Sequence, residues 1–205
     1  LDERDRAARF HFEQHRERFI VGRGVLRAIL GSYLAVPPGH VQFSYGPQGK
    51  PALADTSAQA SLRFNLAHAG GLALYVVTLN RELGVDVEHI HTIPDAERIA
   101  EHFFSVQERD ALAALPEEQR QEAFFRCWTR KEAYLKASGD GLARPPDQVH
   151  VSLTPREPAR VLGISGDPHE AEKWSLCEVI PGDGYIAALA VEGHGWALSC
   201  WRWSG

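Results

Sequence analysis

The chain has no methionine and only three cysteines in 205 residues. Cys127, Cys177 and Cys200 are far apart, odd in number and without zinc-ligand spacing. That pattern excludes a disulfide framework and a structural zinc site, and it fits a reducing cytoplasm. The missing methionine implies a chain trimmed at its start or beginning inside its gene product. No apolar run approaches the ~20 residues that cross a bilayer. The opening LDERDRAARF is charged rather than signal-like, so neither a membrane anchor nor a leader is expected. Positive charge is also short: 22 Lys and Arg against 27 Asp and Glu leave a net charge of −5, which argues against a nucleic-acid binder. There is no heptad, low-complexity tract or residue-level repeat.

What is present suits a globular domain: 44% hydrophobic residues suffice to fill a core. Arginine is concentrated at the start, with Arg4, Arg6, Arg9, Arg16, Arg18, Arg23 and Arg27 in the first thirty residues, a hint of a local anion site. Phe10, Phe19, Leu26 and Leu30 recur at helical spacing there, closed by Pro37-Pro38-Gly39. VQFSYGPQGKPALA reads as a strand and a Gly/Pro turn, and FNLAHAGGLALYVVTLN as a hairpin turning at Gly70-Gly71. A strand from Leu83 to Glu88 follows. Helical patterns then run from Pro94 to about Leu115 and from Pro116 to about Ser138, the second stopped by Gly139. VHVSL, ARVLGI, KWSLCEVI, YIAALAV and WALSCWRW read as short strands. Helices then strands occur twice, with a break near Asn80, so an α+β fold is expected.

Two stretches carry chemistry. In GVDVE (84–88), strand alternation puts Val85 and Val87 on one face and sets Asp86 beside Glu88 on the other. Either that face is wet or something positive lies on it. In EAFFRCWTRKEAYLKASGDG (122–141), Phe124, Phe125, Trp128 and Leu135 share one arc at about 100° per residue, and Glu132 falls within it. Lys131 and Lys136 lie at its margins. An intrahelical Glu132–Lys136 pair is one reading. The other is that Asp86, Glu88 and Glu132 meet on a hard cation, with lysines turned toward phosphates, as magnesium sites in phosphoryl-type transfer are built.

GVDVE followed by WTRKEAYLKASGDGL (128–142), with GKPAL (49–53) and FNLAH (64–68) ahead of them in order, resembles the 4′-phosphopantetheinyl transferases of the surfactin-synthetase-activating type. The likeness covers nearly the whole chain. It implies a pseudo-dimer of two similar α+β halves in one chain, with the active site in the cleft between them. The halves would be residues 1–80, contacting coenzyme A, and 81–205, holding metal and catalytic groups. It implies a holo-carrier-protein synthase: phosphopantetheine moves from coenzyme A to a serine of an acyl or peptidyl carrier protein, releasing adenosine 3′,5′-bisphosphate. By position, Asp86, Glu88 and Glu132 would hold Mg²⁺, and Lys136 would meet the pyrophosphate. Arg6, Arg18, Lys50 and His68 would line the nucleotide's phosphates and adenine side. Glu132 is the expected general base. The remaining arginines of the first helix are expected to be solvated and Glu108 structural. Expected partners are coenzyme A and a carrier protein, without nucleic acid or membrane, for a cytoplasmic monomer.

Two departures stand out. Ala67 occupies a position where the resemblance expects Ser or Thr, and the strand expected ahead of the first helix is missing. Ala67 leaves open an alternative, a non-catalytic module of the same fold that binds coenzyme A or a carrier domain. The intact acid and lysine set weighs against it.

Overall fold

The computed structural model describes residues 3–46, 48–54 and 61–204, and they divide into two compact units, 1–63 and 64–205. The first unit holds α1 (Glu3–Ala7), α2 (Glu13–Leu34), and a hairpin of β1 (Phe43–Tyr45) and β2 (Pro51–Leu53). The expected single opening helix is thus two, interrupted around Phe10. The second ends with Ala35 in the left-handed region (φ 53°), before Pro37. Part of the expected Gly/Pro turn, Pro47, lies outside the described residues.

The arginines expected to be solvated are not all so. Arg23 and Arg27 both pair with Glu3. Arg23 also stacks on Phe43, and Arg27 donates to the carbonyls of Pro38 and Val41. Planar guanidinium forks can satisfy several acceptors at once, so these two side chains fasten the helices to the hairpin rather than face water.

In the second unit, β3 (Leu62–Ala69) and β4 (Leu72–Leu79) form the expected hairpin, turning at Gly70, whose φ of 56° suits glycine. Then come β5 (Leu83–His89), α3 (Ala96–Phe103), α4 (Val106–Ala113) and α5 (Glu117–Ser138). They are followed by β6 (Val149–Val151), β7 (Val161–Ile164), β8 (Trp174–Val179) and β9 (Tyr185–Glu192). Strands β5, β9 and β8 make an antiparallel sheet in that order, and β6 pairs with β7. Helices and strands in separate runs bear out the α+β expectation.

Alternation along β5 sorts the molecule into two cores. Leu83, Val85 and Val87 pack with Ala67, Ala187, Leu189 and Val191 on one face of the sheet. On the other, α5 packs over Ile186, Ala188 and Ala190 through Phe124, Phe125, Tyr134 and Leu135. Burial of each such large side chain stabilises by about 1.5–3 kcal/mol.

Two further expectations are corrected. The helix expected over 94–115 is two, because Phe104 is extended and Ser105 caps α4 in a reciprocal box with Glu108. The strand expected in WALSCWRW is absent: no strand forms at 196–203, where Trp201 is 80% exposed. Its alternation can define a face, but a strand also needs a neighbour's ladder of hydrogen bonds, and no strand pairing reaches these residues.

Candidate active site

The site is built where α5 lies on β5. Gly84 makes that contact possible: a Cβ there would stand 2.2 Å from the Ala133 carbonyl oxygen and 2.4 Å from the Ala137 nitrogen. Opposite Gly84 and Asp86 on β9 are Ala190 and Ala188, also small. With nothing bulky between, helix and strand backbones touch. The next same-face residues of β5, Asp86 and Glu88, come within electrostatic reach of Glu132 and Lys136. Beneath them, buried Asn65 on β3 accepts a hydrogen bond from the Val85 amide at 3.0 Å and holds the edge of β5.

Asp86 is therefore not on a wet face. It is buried, and Lys136 donates to its Oδ1 at 2.6 Å and to the Val85 carbonyl at 3.2 Å. The lysine partner of the helix is thus Asp86 on the strand rather than Glu132 one turn back. Burial raises the Asp86 carboxyl to about 6, offset by Lys136 and reinforced by Glu88. The Glu88 carboxyl is raised first by burial and also by Glu132, against the pull of His91 and Lys136. That of Glu132 is raised by burial and by Asp86, against Lys136. One ammonium is shared among three crowded carboxylates.

Among the described residues, no three His, Cys, Asp or Glu side chains stand close enough to hold a metal ion as they are. The donor set nevertheless suits a hard divalent cation. All three candidates are carboxylates, Asp86 Oδ2 is buried and accepts no hydrogen bond, and every one is disfavoured as an anion. A cation such as Mg²⁺ prefers oxygen donors and would relieve both the orphaned oxygen and the mutual repulsion.

The other expected site residues divide between the units. Arg6 in α1 and Arg9 line a cavity of about 770 Å³ with Glu3, Phe10, Tyr45 and Gln48. Arg18 is exposed on α2, and Lys50 is half-buried just ahead of β2. In the second unit His68 is exposed on β3, while its neighbour Ala67 is buried in the core beneath β5. The methyl group at 67 thus packs against apolar neighbours.

Two participants had gone unremarked in sequence and a third was misplaced. Gly84 and Asn65 act through backbone contacts that only the fold creates. The third is Lys131, read as marginal to the helix face, which is fully buried and paired with Glu108 at 2.6 Å. A legible signal existed for its partner: Ser105-Val106-Gln107-Glu108 is a capping-box pattern.

Residues 82–190 match the 4′-phosphopantetheinyl transferase superfamily, and residues 1–80 match the N-terminal family of 4′-phosphopantetheinyl transferases. The 4′-phosphopantetheinyl transferase HetI of Nostoc sp. is 47% identical over 202 residues, covering 98% of this chain and 82% of that protein. A putative 4′-phosphopantetheinyl transferase of Synechocystis sp. is 38% identical over 148 residues, covering 72% of this chain and 60% of that one. The 4′-phosphopantetheinyl transferase Sfp of Bacillus subtilis is 27% identical over 152 residues, covering 74% and 65%. Among solved structures, the holo-[acyl-carrier-protein] synthase of Thermotoga maritima aligns with 55% of this chain and 62% of its own, at 23% identity and a TM-score of 0.44.

Proposed function

Since the chain belongs to the 4′-phosphopantetheinyl transferase superfamily, we propose that it moves 4′-phosphopantetheine from coenzyme A to a serine of an acyl or peptidyl carrier protein. The second product is adenosine 3′,5′-bisphosphate. The observation that carries the reading is the pairing of strand and helix: Asp86 and Glu88 on β5 face Glu132 and Lys136 on α5 across the Gly84 contact.

Residues 1–80 supply contacts to the nucleotide of coenzyme A, and residues 81–205 the metal-holding and reacting groups. Arg6, beside Arg9 on its cavity, and Arg18 and Lys50 meet phosphate oxygens, which guanidinium forks and ammonium groups suit. His68, exposed on β3, meets the adenine side. Asp86, Glu88 and Glu132 would hold Mg²⁺, which when bound would neutralise pyrophosphate charge as it builds.

Lys136 is the cation assigned to the pyrophosphate. Its ammonium lies on Asp86 and, turned toward the bridging oxygen, would offset the charge that gathers there. The serine oxygen forms a new bond to the phosphorus on the pantetheine side, and the bond from that phosphorus to the bridging oxygen breaks. The bridging oxygen leaves on the adenosine bisphosphate beside Lys136, and Glu132 takes the serine proton. A carboxylate positioned within the acid cluster can accept a proton, directly or through a water.

The surfactin-activating subtype, cytoplasmic residence and a monomeric state complete the proposal. Free cysteines support a reducing compartment, and among the described residues no helix is long and apolar enough to cross a membrane. Incubation of apo carrier proteins with coenzyme A, Mg²⁺ and this chain, read by mass spectrometry, is expected to add one phosphopantetheine. No adduct on any of a fatty-acid, polyketide and peptide carrier would sink the assignment.

A further inference from the structure

Lys131 and Glu108 are two charges with side chains only 2% and 4% exposed, on different helices, outside the set that faces the pyrophosphate. Isolated buried charges are strongly unfavourable, so their surroundings must be complete. They are. The Lys131 ammonium has three donors and three acceptors: Glu108 Oε2 at 2.6 Å, the Pro146 carbonyl at 2.9 Å and the Val149 carbonyl. Glu108 Oε2 also accepts from the Ser105 amide at 2.7 Å, and Oε1 accepts from the Val151 amide at 2.8 Å. The pair therefore joins α4, α5, the 146–148 turn and β6 in one closed knot.

Stability alone is a poor reason for such a knot. Fully buried pairs are often replaceable by apolar groups of similar size without loss, and their best-attested use is to fix a register. Here the register in question is visible. Residue 132 follows 131 on α5, and Lys136 lies one turn further. Leu135 or Phe124 could slide on an apolar surface, whereas an ammonium held by three acceptors has one place to be.

We infer that the Glu108–Lys131 pair is a positioning device. By holding the rotation of α5 on the side away from Gly84, it aims Glu132 and Lys136 at Asp86 and Glu88. This rests on the transferase reading above, and it gives Glu108 no part in proton transfer, since its oxygens are committed to Ser105, Val151 and Lys131.

The test is the double variant Glu108→Gln/Lys131→Met, which removes both charges together, compared with the parent chain by circular dichroism and thermal melting. Mn²⁺ binding without coenzyme A, followed by electron paramagnetic resonance, reports the acid cluster directly, and steady-state transfer reports kcat and KM. A folded variant is expected to bind Mn²⁺ about tenfold more weakly, the scale on which lost outer support acts, and to lose kcat with little change in KM for coenzyme A. A folded variant with parental Mn²⁺ affinity and kcat overturns the inference. A purely structural role would lower the melting temperature and leave the folded fraction's Mn²⁺ affinity unchanged, which also overturns it. If the double variant does not fold, Glu108→Asp, one methylene short, is read in the same way against the same criteria. A parent chain that neither binds Mn²⁺ nor transfers would remove the transferase reading, and the positioning role with it.

Discussion

At the scale of single residues, Asp86 is the most informative side chain. Its carboxyl titrates near 6 in the folded chain because burial outweighs the lysine beside it, against about 3.9 in an unfolded one. Between those values the folded state binds more protons than the unfolded state, so stability falls as pH rises. The unfavourable contribution is absent below about pH 4 and complete above about pH 6. Thermal melts of the cation-free chain are therefore expected to show declining stability across that window. Added Mg²⁺ should restore more stability at pH 7.5 than at pH 5, and equal effects at both would count against a carboxylate site. Asp86→Asn removes the strained charge. The cation-free variant should melt no lower than the parent at pH 7.5 while losing the response to Mg²⁺. For Glu132→Gln, loss of a general base predicts a fall in kcat of about 10²–10⁴-fold with an unaltered circular dichroism spectrum. Near-normal turnover would remove Glu132 from both of its assigned roles.

At the scale of elements, the proposed function calls for the close approach of α5 to β5 at Gly84. Gly84→Ala places a methyl group inside the space of the Ala133 carbonyl and the Ala137 nitrogen, and neither can yield without moving the helix. Overpacking of this kind destabilises by about 1–3 kcal/mol, occasionally more. Urea denaturation should register that loss, and kcat should fall together with it as Glu132 moves away from β5. A variant with parental stability and turnover would show that the contact is not needed. The break between α3 and α4 has a comparable local logic. Ser105 ends one helix and begins another, and the capping carboxylate is the same Glu108 that holds Lys131.

At the scale of the whole molecule, the proposal assigns Arg6, Arg18, Lys50 and His68 to coenzyme A. A ligand that binds the native chain and not the unfolded one stabilises it. With coenzyme A and Mg²⁺ at about a hundred times the dissociation constant, the gain is about 2.7 kcal/mol. In a chain of this size that corresponds to a rise of roughly 5–10 °C in melting temperature, which differential scanning fluorimetry can read. Arg6→Ala, on the cavity of the first unit, should reduce that shift without altering the melting temperature of the ligand-free chain by more than a degree or two. An undiminished shift would exclude Arg6 from the nucleotide site.

Much of this was legible from residue order alone. The alternation in GVDVE defined two faces of β5, the glycines marked the hairpin turn and the end of α5, and the spaced acids and lysines are the source of the proposal of phosphate and hard-cation chemistry. These are local signals, set by backbone geometry within a few residues. Tertiary structure decided the rest, because the deciding contacts join residues 20 to 50 positions apart. Only packing shows that Lys136 reaches Asp86 instead of Glu132, that Lys131 is buried against Glu108, and that WALSCWRW has no strand beside it. A side chain's partner is chosen by whatever the fold brings within a few ångströms, and periodicity along the chain carries no record of that distance.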